Sequence, residues 1–136
     1  YEKLLSLRDG TRSQCKGAPV LIHTYDYATP TSAPAKFFDV VGLRGPWLQP
    51  AMVAAQIPQS EWNKVSDFIL GSLAARLLKL NKKSRNVTVV NTLGTLTRAK
   101  LGATGNSNDW SNEIHPNRGG YAKIAANISP VLATLL

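Results

Sequence analysis

Two apolar and β-branched runs constrain this chain most: Pro19-Val20-Leu21-Ile22-His23-Thr24-Tyr25 and Asn86-Val87-Thr88-Val89-Val90-Asn91-Thr92. Neither alternates polar with apolar residues. Each therefore reads as a strand covered on both faces, as in a parallel sheet flanked by helices. Helical patterns surround them. Leu4, Leu5 and Leu7 mark a short helix over about 2 to 9, with Gly10 as its stop. A second short helix is expected over 51 to 57. Trp62, Val65, Ile69, Leu73, Leu77 and Leu80 form one apolar stripe and predict a helix over about 61 to 81, capped by Gln59 or Ser60. Asn117 or Pro116 opens the last helix. Tyr121, Ile124, Ala125, Ile128, Val131, Leu132 and Leu135 form its inward side, and Pro130 is expected to kink or restart it. Helix, strand, long loop, helix, strand, long loop, helix is the order of an α/β protein with parallel strands and crossover helices.

Two strands do not make a stable parallel sheet. The 136 residues are therefore expected to be the C-terminal portion of a single larger domain. Such a chain exposes a sheet edge, and its expected partner is the missing N-terminal portion or a second copy of itself. The N-terminus, Tyr1-Glu2-Lys3-Leu4-Leu5, lacks a Met and a long apolar stretch, so it reads as the inside of a helix and not as a signal peptide. No apolar run reaches the roughly 18 residues of a membrane span. The net charge of +8 invites a nucleic-acid reading. Against it, the basic residues are scattered, and the densest group, Lys79, Lys82, Lys83 and Arg85, sits at a helix end where cations complement the dipole. No nucleic-acid partner is expected.

Both long loops, about 26 to 50 and 93 to 108, follow strands. In open α/β sheets that edge is where ligands bind. The second loop ends in Asn108-Asp109-Trp110-Ser111-Asn112-Glu113-Ile114-His115-Pro116-Asn117. A histidine beside a carboxylate is how a protein places a general base near neutral pH. His115 is the candidate base, weighed against a plain helix-capping or surface histidine. Asp109 and Asn112 compete to orient it. Asp109 has the charge, Asn112 the closer position, and Glu113 reads as solvated. Asp26 and Trp110 are candidate substrate-binding residues. His23, Tyr25 and Asp26 end the first strand and could line a substrate pocket; the competing reading, favoured for His23, places His23 in the core and packs Tyr25 under the loop. Trp47 reads as a loop anchor or an apolar wall.

No nucleophile stands out. There is no Gly-x-Ser-x-Gly elbow, Ser72 lies inside a helix, Ser111 is too near His115 in sequence, and Cys15 lies in a polar linker. One cysteine excludes an intrachain disulfide, and two histidines without supporting spacing do not make a metal site. No phosphate-binding glycine loop is present and no cofactor is expected.

The segment Asp109 to Asn117, with Gly119-Gly120-Tyr121 and Ile124-Ala125 after it, resembles the last block of the SGNH (GDSL-type) hydrolases. The strand Val20 to Tyr27 looks like a late strand of that family and Val87 to Val90 like its last one, so the likeness covers about the second half of such a domain. It implies a three-layer α/β/α sandwich with a parallel, flavodoxin-like sheet, lacking its N-terminal half. It also implies serine-dependent ester hydrolysis, with His115 as base and an acyl ester or an acetylated sugar as substrate. The family's acid stands three residues before the histidine, where this chain has Asn112. Asp109, folded back from one turn earlier, is the favoured acid. The chain alone is expected to be inactive. The competing expectation is a non-catalytic carbohydrate- or protein-binding module that keeps the fold.

Overall fold

The computed structural model describes residues 1–37 and 41–135. The protein is mixed α/β. Helix α1 is Glu2–Arg8, followed by strand β1 at Val20–His23. Strands β2, Ala35–Phe37, and β3, Val41–Arg44, come next, then helix α2 at Leu48–Ala54. A 3₁₀ turn, Gln59–Glu61, runs directly into helix α3 at Trp62–Leu78. A second 3₁₀ turn, Lys83–Arg85, leads to strand β4 at Val87–Val90, and helix α4 spans Arg118–Ala133.

β1 and β4 pair in parallel, Val20 opposite Val87 and His23 opposite Val90, as the alternation of patterns predicts. They form a two-stranded sheet. The backbone pairing continues one step past β1, where Thr24 N–H donates to Val90 O at 3.0 Å. β2 and β3 pair antiparallel inside the stretch read as loop from 26 to 50. Residues 38–40 of that stretch lie outside the described residues.

Expected burial on both faces is met only in part. In β4, Val87 and Val89 are buried while Thr88 and Val90 are half-buried; in β1, Val20, Leu21 and Ile22 are half-buried and His23 is exposed. Val87 and Val89 pack with Leu5 of α1 and with Leu77 and Leu80 at and beyond the end of α3, so one face is filled and the other left partly open. The second core cluster unites Ala28, Leu70, Leu96, Ala99, Trp110 and Ile124. It sits where the two post-strand loops meet α3 and α4.

α3 buries Trp62, Ser66, Leu70 and Ala74, not the stripe expected through Ile69 and Leu73, which are exposed. The reason is polar. Ser66 is fully buried because its hydroxyl donates to Ala28 O at 2.7 Å, so the loop after β1 draws this face inward. α4 buries Gly120 and Ile124, while Tyr121 and Leu132 stay exposed. Of the kink or restart expected at Pro130, the restart does not occur: α4 runs through it as one helix. Cys15 is exposed. No helix among the described residues is long and apolar enough to cross a membrane.

α1 is tied to the strand entrances by Arg8, whose guanidinium meets both Asp9 carboxylate oxygens at 2.7 Å and donates to Ala18 O and Arg85 O. Asp9 also accepts from Gly17 N–H at 3.1 Å. The Arg8 guanidinium and then that N–H lower the Asp9 carboxyl from 3.8 to about 2. The folded value is below the unfolded one. This contribution is therefore complete above about pH 4 and disappears as the pH falls through 2. An Asp9→Asn variant should melt lower than the parent at pH 6, with the difference shrinking as the pH falls from about 4 to 2. A difference that stays constant across thermal melts from pH 6 to 2 would remove this linkage.

Candidate active site

The loops after β1 and β4 are fastened by Asp26. Its carboxylate accepts from Tyr27 and Gly94 N–H, both at 2.6 Å, and from Leu96 N–H at 2.7 Å. Asp26 is buried, and these three backbone donors occupy it as a clamp between loops. Asp26, expected at the substrate site, does line the cleft at the carboxyl ends of β1 and β4, and its carboxylate is held by these loop contacts. A short carboxylate at a turn is suited to this, since it accepts from its own backbone and from a second chain segment.

The segment from Ser107 to Asn117 folds into a compact double turn. Ser107 and Trp110 exchange backbone hydrogen bonds of 2.8 and 3.0 Å, and Ser111 N–H donates to His115 O at 2.8 Å. Asn117 caps α4, its side chain accepting from Gly120 N–H at 3.0 Å, so the cap is Asn117 and not His115. Gly120 lets this turn lie against α4. A Cβ there would overlap the carbonyl oxygen of Asp109 and lie 2.9 Å from Cβ of Pro116. Gly120→Ala should therefore push the turn off the helix and cost about 1–3 kcal/mol, an overpacking effect. An unchanged urea midpoint would contradict this packing.

The orienting partner of His115 is Asn112. Asn112 Oδ1 lies 3.0 Å from His115 Nδ1 and also accepts from His115 N–H at 2.9 Å and Ile114 N–H at 3.1 Å. Two backbone donors converge on one amide atom, so that atom must be the oxygen. Nδ1 is then the protonated nitrogen and Nε2 carries the basic lone pair. Asp109, the favoured acid from sequence, is elsewhere. Its Oδ2 accepts from Thr97 N–H at 2.6 Å and meets Lys123 Nζ at 2.5 Å. Those contacts, Lys123 first, hold its carboxyl below the usual carboxylate range. Backbone closure of the turn puts Asn112 at the imidazole, while Lys123 of α4 draws Asp109 away.

Glu113 reverses its expected solvated role. It is 1 % exposed, and its carboxylate gathers backbone N–H groups of Thr31, Trp47, Leu48 and Gln49. Trp47 to Gln49 is the start of α2, where orphan N–H groups and the helix dipole favour an anion. Glu113 thereby pins the histidine turn to the region before α2. Trp47 then stands edge-on to the His115 ring, with centroids 5.8 Å apart.

The result is a cleft of about 280 Å³ at the carboxyl ends of β1 and β4, lined by His23, Tyr25, Trp110, Ile114, His115 and Tyr121 among others. His115 itself is exposed, and Trp110 forms a buried wall beside Tyr25. His23, expected in the core, is instead exposed in this cleft, its Nδ1 2.8 Å from Thr24 O. Like His115, it therefore has its Nδ1 engaged by a carbonyl oxygen. Its position at the last residue of a strand was the available signal. Among the described residues no three His, Cys, Asp or Glu side chains are grouped to hold a metal ion. Compared with family models, with characterised proteins and with solved structures, the chain matches none of them.

Proposed function

We propose that this chain supplies the general base of a serine-dependent ester hydrolase of SGNH type. One observation carries the reading: His115, fixed as the Nδ1–H tautomer by Asn112, stands at an apolar cleft beyond the carboxyl ends of two parallel strands. In this reading Nε2 takes the proton of an attacking serine hydroxyl and returns it to the leaving alcohol. Asn112 holds the ring while the positive charge is present. An amide carbonyl stabilises an imidazolium less than a carboxylate does.

The residues lining the cleft include no serine and no cysteine. The nucleophile in this proposal comes from polypeptide outside these 136 residues. The β1 side of the sheet, with half-buried Val20, Leu21 and Ile22, is where further parallel strands would join and complete a three-layer α/β/α sandwich. β4 is already occupied at its entrance by the antiparallel bridge between Lys82 and Val87. The partner is thus the N-terminal portion of the same domain or a second copy of the chain.

A second reading, a binding module without catalysis, draws support from the neutral partner of His115. Assay of a polypeptide extended before Tyr1 on short p-nitrophenyl esters separates the two. Hydrolysis that needs His115 supports the first. Full activity in His115→Ala, or no turnover by the folded extended protein, would sink it. The 136 residues alone should hydrolyse none of these esters.

A further inference from the structure

Two of the buried polar atoms left without a hydrogen-bond partner, Trp110 Nε1 and the Tyr25 hydroxyl, belong to residues that line the same cleft. A buried donor normally has a partner, so an unpartnered one in a cleft calls for an explanation. Trp110 is 1 % exposed, and its ring lies 6.3 Å from that of Tyr25, centroid to centroid. An indole N–H can only donate, so what completes it must be an acceptor. By contrast Trp62, whose Nε1 also faces inward, donates to Ile57 O at 2.8 Å. The remaining walls include Ile114, Pro116 and Ile124, apolar surface suited to a hydrocarbon chain. A volume of about 280 Å³ matches roughly nine water molecules at ~30 Å³ each in the liquid, room for a short acyl chain and not a long one.

We propose that this cleft binds the short acyl portion of a neutral ester, its carbonyl oxygen accepting from Trp110 Nε1 and the Tyr25 hydroxyl and its chain lying on Ile114 and Ile124. The inference rests on the ester-hydrolase reading in naming an ester, and it adds the acyl size and the two donors. A free carboxylate of the same chain length would have to leave water for walls that include Ile114, Pro116 and Ile124, so it binds more weakly than the neutral ester. Because Trp110 is almost wholly covered, the oxygen reaches Nε1 only when the cleft opens by a side-chain rotation, and the Tyr25 ring moves with it.

The test is a titration of the ¹⁵N-labelled 136-residue protein with methyl butyrate, and in a parallel arm with sodium butyrate, following the indole N–H resonances. The expected result is a saturating downfield shift of the Trp110 indole proton with the ester and a weaker response to butyrate. Trp110→Phe and Tyr25→Phe should each weaken ester binding by about fivefold to tenfold, the worth of one hydrogen bond. The Tyr25 variant keeps the test decisive if the tryptophan variant unfolds. Three outcomes overturn the proposal: no response of the Trp110 resonance, equal affinity in the variant proteins, or a long-lived water at Trp110 Nε1 that the ester does not displace. The readout is binding and not turnover. Its failure leaves the base role of His115 standing, and absence of hydrolysis in the extended protein leaves the binding standing.

Discussion

Glu113→Ala should destabilise the protein by about 3–5 kcal/mol, a large share of the roughly 5–15 kcal/mol that holds a domain of this size together. The carboxylate receives N–H groups from Thr31, Trp47, Leu48 and Gln49, the last two at 2.7 Å. Truncation strands them. Thr31 is buried and its N–H finds no water, at a cost of about 1–3 kcal/mol. The other three open α2 to solvent and release the loop around them. Removing a buried charge also recovers its desolvation cost, which on charge alone would favour a glutamine. The geometry opposes this. Oε1 accepts from Thr31 and Gln49, and Oε2 from Trp47 and Leu48, so either orientation of the substituted amide turns its NH₂ toward two donors. Glu113→Gln should thus lose nearly as much as Glu113→Ala in urea denaturation. A glutamine variant within about 1 kcal/mol of the parent would show that the four-donor arrangement does not hold in solution.

This buried carboxylate also marks the limit of what the sequence makes legible. The strands Val20–His23 and Val87–Val90 and the helices around them follow from local composition, because apolar runs and helical spacing are local properties. Glu113 finds partners 64 to 82 residues away, and nothing beside it announces them. The buried stripe of α3 is hidden for the same reason. Ser66 is inside because Ala28, 38 residues earlier, offers it a carbonyl. The Asn112 to His115 contact was readable in principle. An asparagine that accepts the N–H groups two and three residues ahead closes a tight turn, and that turn carries the histidine side chain back to the same oxygen. Charge pointed to Asp109, but local backbone geometry outranked it, and Lys123, 14 residues away on α4, claimed the carboxylate.

The contrast between Asn112 and Asp109 sets the second large effect, on the rate of the proposed ester hydrolysis by a polypeptide extended before Tyr1. His115→Ala removes the only proton acceptor assigned to the serine and should lower kcat by about 10⁴-fold. Asn112 acts through His115 and is a positioning residue. Asn112→Ala leaves the base present but frees its tautomer and loosens the turn at the Ile114 and His115 N–H groups, so a loss of about 10²-fold is expected. Combining the two substitutions should cost no more than His115→Ala alone, because a positioning residue has nothing left to position. Asp109→Asn breaks the ion pair with Lys123 while its amide oxygen can still accept from Thr97 N–H; neither contact involves the imidazole, so the rate should change by less than about threefold. Long-range ¹H–¹⁵N spectra of the parent should show His115 as the Nδ1–H tautomer when neutral, and Asn112→Ala should shift it toward the Nε2–H form, a signature that mere loss of packing would not produce. Additive losses for His115 and Asn112, or a large rate loss in Asp109→Asn with none in Asn112→Ala, would return the acid role to Asp109. Asn112→Asp separates geometry from charge. It keeps an oxygen for both N–H groups and adds a carboxylate beside the developing imidazolium, so a rate at or above the parent's is expected, with the turn intact.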